Sequence, residues 1–138
     1  MQGNAIPERR ALPKQVLLID DEADIAEAMA AFLGSYGVTL LAVPNEHEAT
    51  AAFSQAAAQG APFEALICDY RLADGANGLD IGLRLRRRFA PKLPLLLATG
   101  ETVPDRLQRV QDSSVPVLFK PVAAEILLKT LTTLRRTI

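Results

Sequence analysis

Residues 16–22 read Val-Leu-Leu-Ile-Asp-Asp-Glu, and this stretch decides how the rest of the chain is parsed. Four consecutive apolar side chains do not alternate between core and water. A strand here must be covered on both faces, as in a parallel sheet. The run then stops abruptly in three acids. From Ala23 the period changes, because Ile25, Met29, Phe32 and Leu33 fall at helical spacing. Gly37 stands where the C-terminus of such a helix is capped. A strand leading directly into a helix is the repeating unit of an α/β fold.

The same unit recurs outward from this stretch. Short apolar runs lie at 38–43, 65–68, 93–98 and 115–119, each bounded by turn residues. Helical segments are expected at about 46–59, 79–89, 104–111 and 124–136. Asn45 with Glu48 three residues later resembles a capping box. Pro104 suits a first helical position. Pro116 has no backbone donor, which places the last strand at a sheet edge. The expected fold is α/β: a doubly wound, five-stranded parallel sheet with helices on both faces. Residues 1–14 mix Pro, Gly and charges without periodicity and are read as a tail or linker, leaving 15–138 as one domain.

Composition narrows the function classes. A chain of 138 residues fits one domain. A net charge of −1 gives no electrostatic footprint for nucleic acid or an anionic membrane. Cys68 is the only cysteine, which excludes a disulfide framework and a multi-cysteine zinc site. No apolar run approaches the roughly 20 residues of a membrane span, and the first residues carry no secretory signal. A cytoplasmic location is expected. Cys68 reads as a small core residue and His47 as a surface histidine. Arg84, Arg86, Arg87 and Arg88 read as a solvated helix face, since no aromatics interleave with them.

In a doubly wound sheet the site lies beyond the carboxyl ends of the strands. The first strand delivers Asp20, Asp21 and Glu22 there, the third Asp69, the fourth Thr99, Gly100 and Glu101, and the fifth Lys120 and Pro121. Clustered carboxylates repel one another and suit a hard divalent cation with oxygen ligands, such as Mg²⁺. One carboxylate can act as a nucleophile toward phosphorus. A lysine ammonium can neutralise charge on a phosphoryl group in transfer, and a hydroxyl can bond one of its oxygens.

The strings VLLIDDE (16–22), LICDYRL (66–72), LLLATGE (95–101) and LFKPV (118–122) resemble the phosphoacceptor receiver domain of two-component response regulators. The pattern is closest to the C-terminal receivers of hybrid sensor histidine kinases. The resemblance implies a flavodoxin-like (βα)5 fold with strand order 2-1-3-4-5. It implies a module, rather than an enzyme, that takes a phosphoryl group from a histidine kinase or histidine phosphotransfer protein and changes conformation; a homodimer is compatible with it. By position, Asp69 matches the phosphoacceptor. Asp20, Asp21, Asp69 and the backbone carbonyl of Arg71 match the ligands of Mg²⁺, for which Mn²⁺ can substitute. Thr99 matches the switch hydroxyl and Lys120 the family lysine, with a cis peptide to Pro121. Arg71 and Glu101 flank the path of an attacking water and are expected to modulate phosphoryl lifetime.

Three positions depart from the family pattern. Ala73 replaces a common proline, the 74–78 loop is one residue longer than usual, and Val117 replaces an aromatic switch residue. Phe119 is expected in the core. Two rival readings remain. An aspartyl-nucleophile phosphatase of the haloacid dehalogenase type needs an aspartate two residues after the nucleophile, where Arg71 stands. A phosphorylation-independent scaffold would fit Val117 but not the complete acidic set. A nucleotide-binding fold would need a Gly-rich loop after the first strand, and none is present.

Overall fold

The computed structural model describes residues 12–72, 75–100 and 104–136. Five strand–helix units follow in order: β1 (Gln15–Ile19), α1 (Ala23–Gly34), β2 (Thr39–Val43), α2 (Glu46–Ala58), β3 (Ala65–Asp69), α3 (Gly78–Phe89), β4 (Leu95–Thr99), α4 (Pro104–Ser113), β5 (Val117–Phe119) and α5 (Ala124–Arg136). The strands form one parallel sheet in the order β2-β1-β3-β4-β5, as expected. The Asn45 side chain caps α2 by accepting from the Glu48 backbone N–H at 2.9 Å.

Residues of opposite parity on each strand feed two separate cores. Leu17, Ile19, Leu66, Cys68, Leu95 and Leu97 join one cluster with α2 and α3. Val16, Leu18, Ala65, Ile67 and Leu96 join the other with α1 and α5. Every residue of β3 and β4 is buried, so the centre of the sheet is a continuous apolar slab that holds the strand ends in fixed register. Cys68 lies in this slab with no exposed surface. Helix α3 packs closely over it: a β-carbon placed on Gly82 would lie 3.4 Å from Cys68 Sγ.

Some boundaries differ from the sequence reading. β4 and β5 begin after Pro94 and Pro116, whose rings remove a ladder donor. Leu12, within the stretch read as a tail, is 1% exposed and belongs to the core under α1 and α5. Packing therefore reaches back to Leu12, while residues 1–11 lie outside the described residues. The run of arginines is a polar helix face. Arg84 forms a two-pronged pair with Glu46 of α2 at 2.9 and 2.7 Å, and Arg88 lies over the Phe89 ring.

Candidate functional site

Strand register builds the site. Ile19 pairs with Cys68 and Asp69 with Ala98, so Asp20 and Asp69 leave neighbouring strands side by side. Thr99 pairs with Phe119, which delivers Lys120 to the same rim. The Lys120 backbone N–H donates to the Thr99 carbonyl at 2.8 Å. The Lys120–Pro121 peptide is cis. Asp20 and Asp69 are each only 5% exposed, Thr99 is buried, and Asp21 is open to solvent. One carboxylate oxygen from each of Asp20, Asp21 and Asp69 lies within 4.8 Å of the other two.

Lys120 sits among these acids. Its Nζ is 3.2 Å from Asp69 Oδ2, 3.3 Å from Asp20 Oδ2 and 3.2 Å from Glu22 Oε1. Burial alone would weaken the ammonium, but the Asp69 and Asp20 carboxylates outweigh it and hold the Lys120 pKa above its ordinary value. Burial raises the Asp69 pKa above the usual aspartate range; Lys120 opposes this, and the Asp20 charge adds to it. The Lys120 ammonium thus pairs with three carboxylates, Asp20, Glu22 and Asp69, and Asp21 adds a further acid beside Asp20 and Asp69. A hard oxygen-rich set with this excess of negative charge fits a divalent cation of the Mg²⁺ type.

The loop after Asp69 is folded back on itself. Arg71 and Asn77 form an antiparallel bridge, and the Gly78 N–H donates to the Tyr70 carbonyl at 2.8 Å. Asn77 caps α3, its Oδ1 accepting from the Leu79 and Asp80 N–H groups at 2.8 and 3.2 Å. Gly78 comes so close to the strand end that an added β-carbon would overlap the Asp69 carbonyl oxygen. It would also lie 2.8 Å from the Asp69 carbonyl carbon and 3.1 Å from Tyr70 Cα. The sequence reading missed this contact, although a Gly directly after a capping Asn is a readable signal of it.

Asp20, Asp21, Asp69, Thr99 and Lys120 are therefore gathered at one rim, with the Arg71 backbone on the adjoining loop and its side chain exposed. Glu101 and Ala73 lie outside the described residues. Val117 packs half-buried against the α2–α3 core. Phe119 corrects the sequence reading: it is 54% exposed rather than buried. It ends an edge strand of three residues, beside which no further strand pairs among the described residues. Glu22, which the sequence reading left without a role, is a direct partner of Lys120.

Comparison with known proteins agrees with this geometry. The family described as response regulator receiver domain matches residues 16–132. The chain is 30% identical over 112 residues to the transcriptional regulatory protein AruR of Pseudomonas aeruginosa, covering 81% of this chain and 45% of that protein. It is 34% identical over 115 residues to the C4-dicarboxylate transport transcriptional regulatory protein DctD of Rhizobium meliloti, covering 83% and 24%. The chain thus spans less than half the length of these curated relatives. Among solved structures, the Vibrio cholerae chemotaxis response regulator CheY4 superposes with a TM-score of 0.70 at 29% identity, covering 87% of this chain and 97% of that one. A receiver domain protein from Clostridium thermocellum superposes with a TM-score of 0.75 at 21% identity, covering 89% and 94%. With the family match spanning most of its length and the relatives agreeing, the chain belongs to the response regulator receiver domain family.

Proposed function

We propose that Asp69 is the phosphoacceptor of this receiver domain and that the donor is a phosphohistidine on a histidine kinase or histidine phosphotransfer protein. The observation that carries this is the convergence of three carboxylates within 4.8 Å, with the Lys120 ammonium 3.2 Å from Asp69. Asp20, Asp21, Asp69 and the Arg71 carbonyl would hold Mg²⁺ or Mn²⁺, which when bound offsets carboxylate repulsion and the charge of the phosphoryl oxygens.

The remaining chemistry belongs to the chain. An Asp69 carboxylate oxygen attacks phosphorus, an O–P bond forms, the P–N bond of the phosphohistidine breaks, and the imidazole leaves with the electron pair. Burial makes the Asp69 carboxylate poorly solvated and therefore ready to attack once it is ionised. Lys120 bonds a phosphoryl oxygen, a charge-assisted contact. The Thr99 hydroxyl, buried on the next strand, is in position to donate to another. Val117 is short and stiff at its first torsion, so it cannot make the rotamer swing of an aromatic ring. Arg71 and Glu101 would tune phosphoryl lifetime.

Two features bear on location. No helix among the described residues is long and apolar enough to cross a membrane, and the donors of such domains act in the cytoplasm, where we place this one. The test is mass spectrometry after incubation with phosphoramidate and Mg²⁺. One phosphoryl group should map to Asp69 and be absent in Asp69→Asn. Undiminished labelling of Asp69→Asn would overturn the assignment.

A further inference from the structure

We infer that Glu22 is a positioning residue that tethers Lys120 during phosphoryl transfer; this rests on the reading of Asp69 as phosphoacceptor. An ammonium has three N–H donors and no acceptor. In this structure three carboxylates surround Nζ: Asp20, Glu22 and Asp69, at 3.3, 3.2 and 3.2 Å. A phosphoryl oxygen must take one of these places.

The three partners are not equivalent. Asp69 changes chemically when it is phosphorylated. Asp20 belongs to the set of carboxylates suited to a cation, and a cation there competes with Lys120 for its charge. Glu22 lies outside that set, at the outer edge, with its side chain 57% exposed. It is the partner whose bond to Lys120 survives when the other two are engaged.

The Glu22 backbone is itself fixed. Its N–H donates to Asp20 Oδ1 at 2.8 Å, and its carbonyl accepts from Ala26 N–H in the first turn of α1. The carboxylate therefore reaches Lys120 from a rigid helix start, across 98 residues of sequence. Held from the outer edge, the ammonium keeps one N–H directed at the space over Asp69. Without Glu22, a flexible four-carbon chain must find that direction in each reaction, and positioning of this kind affects rate more than metal binding.

The experiment measures labelling rates of the full chain by phosphoramidate at saturating Mg²⁺, with Mg²⁺ affinity measured by calorimetry. Asp24→Ala, which removes a nearby exposed acid at the start of α1, serves as the charge control. Glu22→Ala should label about three- to five-fold more slowly, the range of one partly exposed ion pair. Its Mg²⁺ affinity should change no more than that of Asp24→Ala. Glu22→Gln keeps an acceptor oxygen and should recover most of the rate. A wild-type or faster rate for Glu22→Ala would overturn the tether, as would Glu22→Gln being as slow as Glu22→Ala. Failure of the wild-type chain to label at all would instead overturn the assignment of Asp69, so the two failures are distinct.

Discussion

Gly78→Ala tests whether the loop after Asp69 is held by backbone contact. The new methyl group would overlap the Asp69 carbonyl oxygen and press on Tyr70 Cα, and neither atom belongs to a flexible side chain. Overpacking of this kind costs about 1–3 kcal/mol, and rigid neighbours push it to the upper end. Alanine in place of glycine at the first position of α3 returns about 0.5–1 kcal/mol. The net loss is about 2 kcal/mol, which for a urea dependence of roughly 1–3 kcal/mol per M lowers the midpoint by about 1 M. Gly34→Ala is the control. Gly34 ends α1 with nothing within 4 Å of an added β-carbon, so that change should be neutral or stabilising by up to about 1 kcal/mol. Because the clash lies on Asp69, the proposed acceptor, Gly78→Ala should also slow phosphoramidate labelling by at least about 10-fold at full occupancy of the folded state. Urea titration by circular dichroism and labelling by mass spectrometry read the two effects. A Gly78→Ala chain with the wild-type midpoint and rate would refute the reasoning.

Three further changes address other parts of the fold. Leu12→Ala removes a side chain buried with α1 and α5 and should cost about 2–4 kcal/mol in a urea titration; a loss below that of a surface substitution would return Leu12 to the tail. The Arg84 guanidinium holds the Glu46 carboxyl below the usual glutamate range, so the pair stabilises the fold above the unfolded pKa of about 4.3 and is lost as pH falls through the lower folded value. With both side chains partly exposed, Glu46→Gln should cost about 0.5 kcal/mol at pH 7 and progressively less as pH falls toward the lowered folded value, and a cost that does not shrink in acid would contradict the pairing. Ser114, which follows α4, has a φ of 62°, so Ser114→Gly should raise stability by up to about 1 kcal/mol, and a clear loss in thermal melting would count against strain there.

The sheet and the rim were legible because both depend on local pattern. Unbroken apolar runs marked the strands, and the residue ending each run had only one place to go; cover on both faces holds for β1, β3 and β4 but not for the edge strands β2 and β5, which keep exposed positions. Asp20, Asp69, Thr99 and Lys120 could be grouped without knowing any contact between them. What escaped the sequence were encounters between distant segments. Phe119 was expected in the core because it directly precedes Lys120, but that position does not say whether a helix covers the end of an edge strand. Glu22 looked like one more acid at a helix start, and its bond to Lys120 exists only once β1 and β5 flank the same rim. Gly78 read as a loop residue because the atoms it touches belong to the strand before the loop. Leu12 carries no period, so its burial depends on the gap left between α1 and α5.

The burial of Cys68 has a kinetic consequence. It is the chain's only thiol, and it lies fully buried in β3 beneath α3, where a glycine, Gly82, faces it. Burial, and then the neighbouring Asp69 charge, push its pKa far up, so in the closed molecule the reactive thiolate is scarce as well as shielded. A thiol reagent must wait for α3 to lift from the sheet, so the labelling rate of the native chain counts those openings without any added probe. At high reagent concentration the rate levels off at the opening rate itself; at low concentration it scales with the opened population. Asp69 is the next residue along the same strand. Any ligand or modification that tightens the rim should therefore register as a slower clock one residue away.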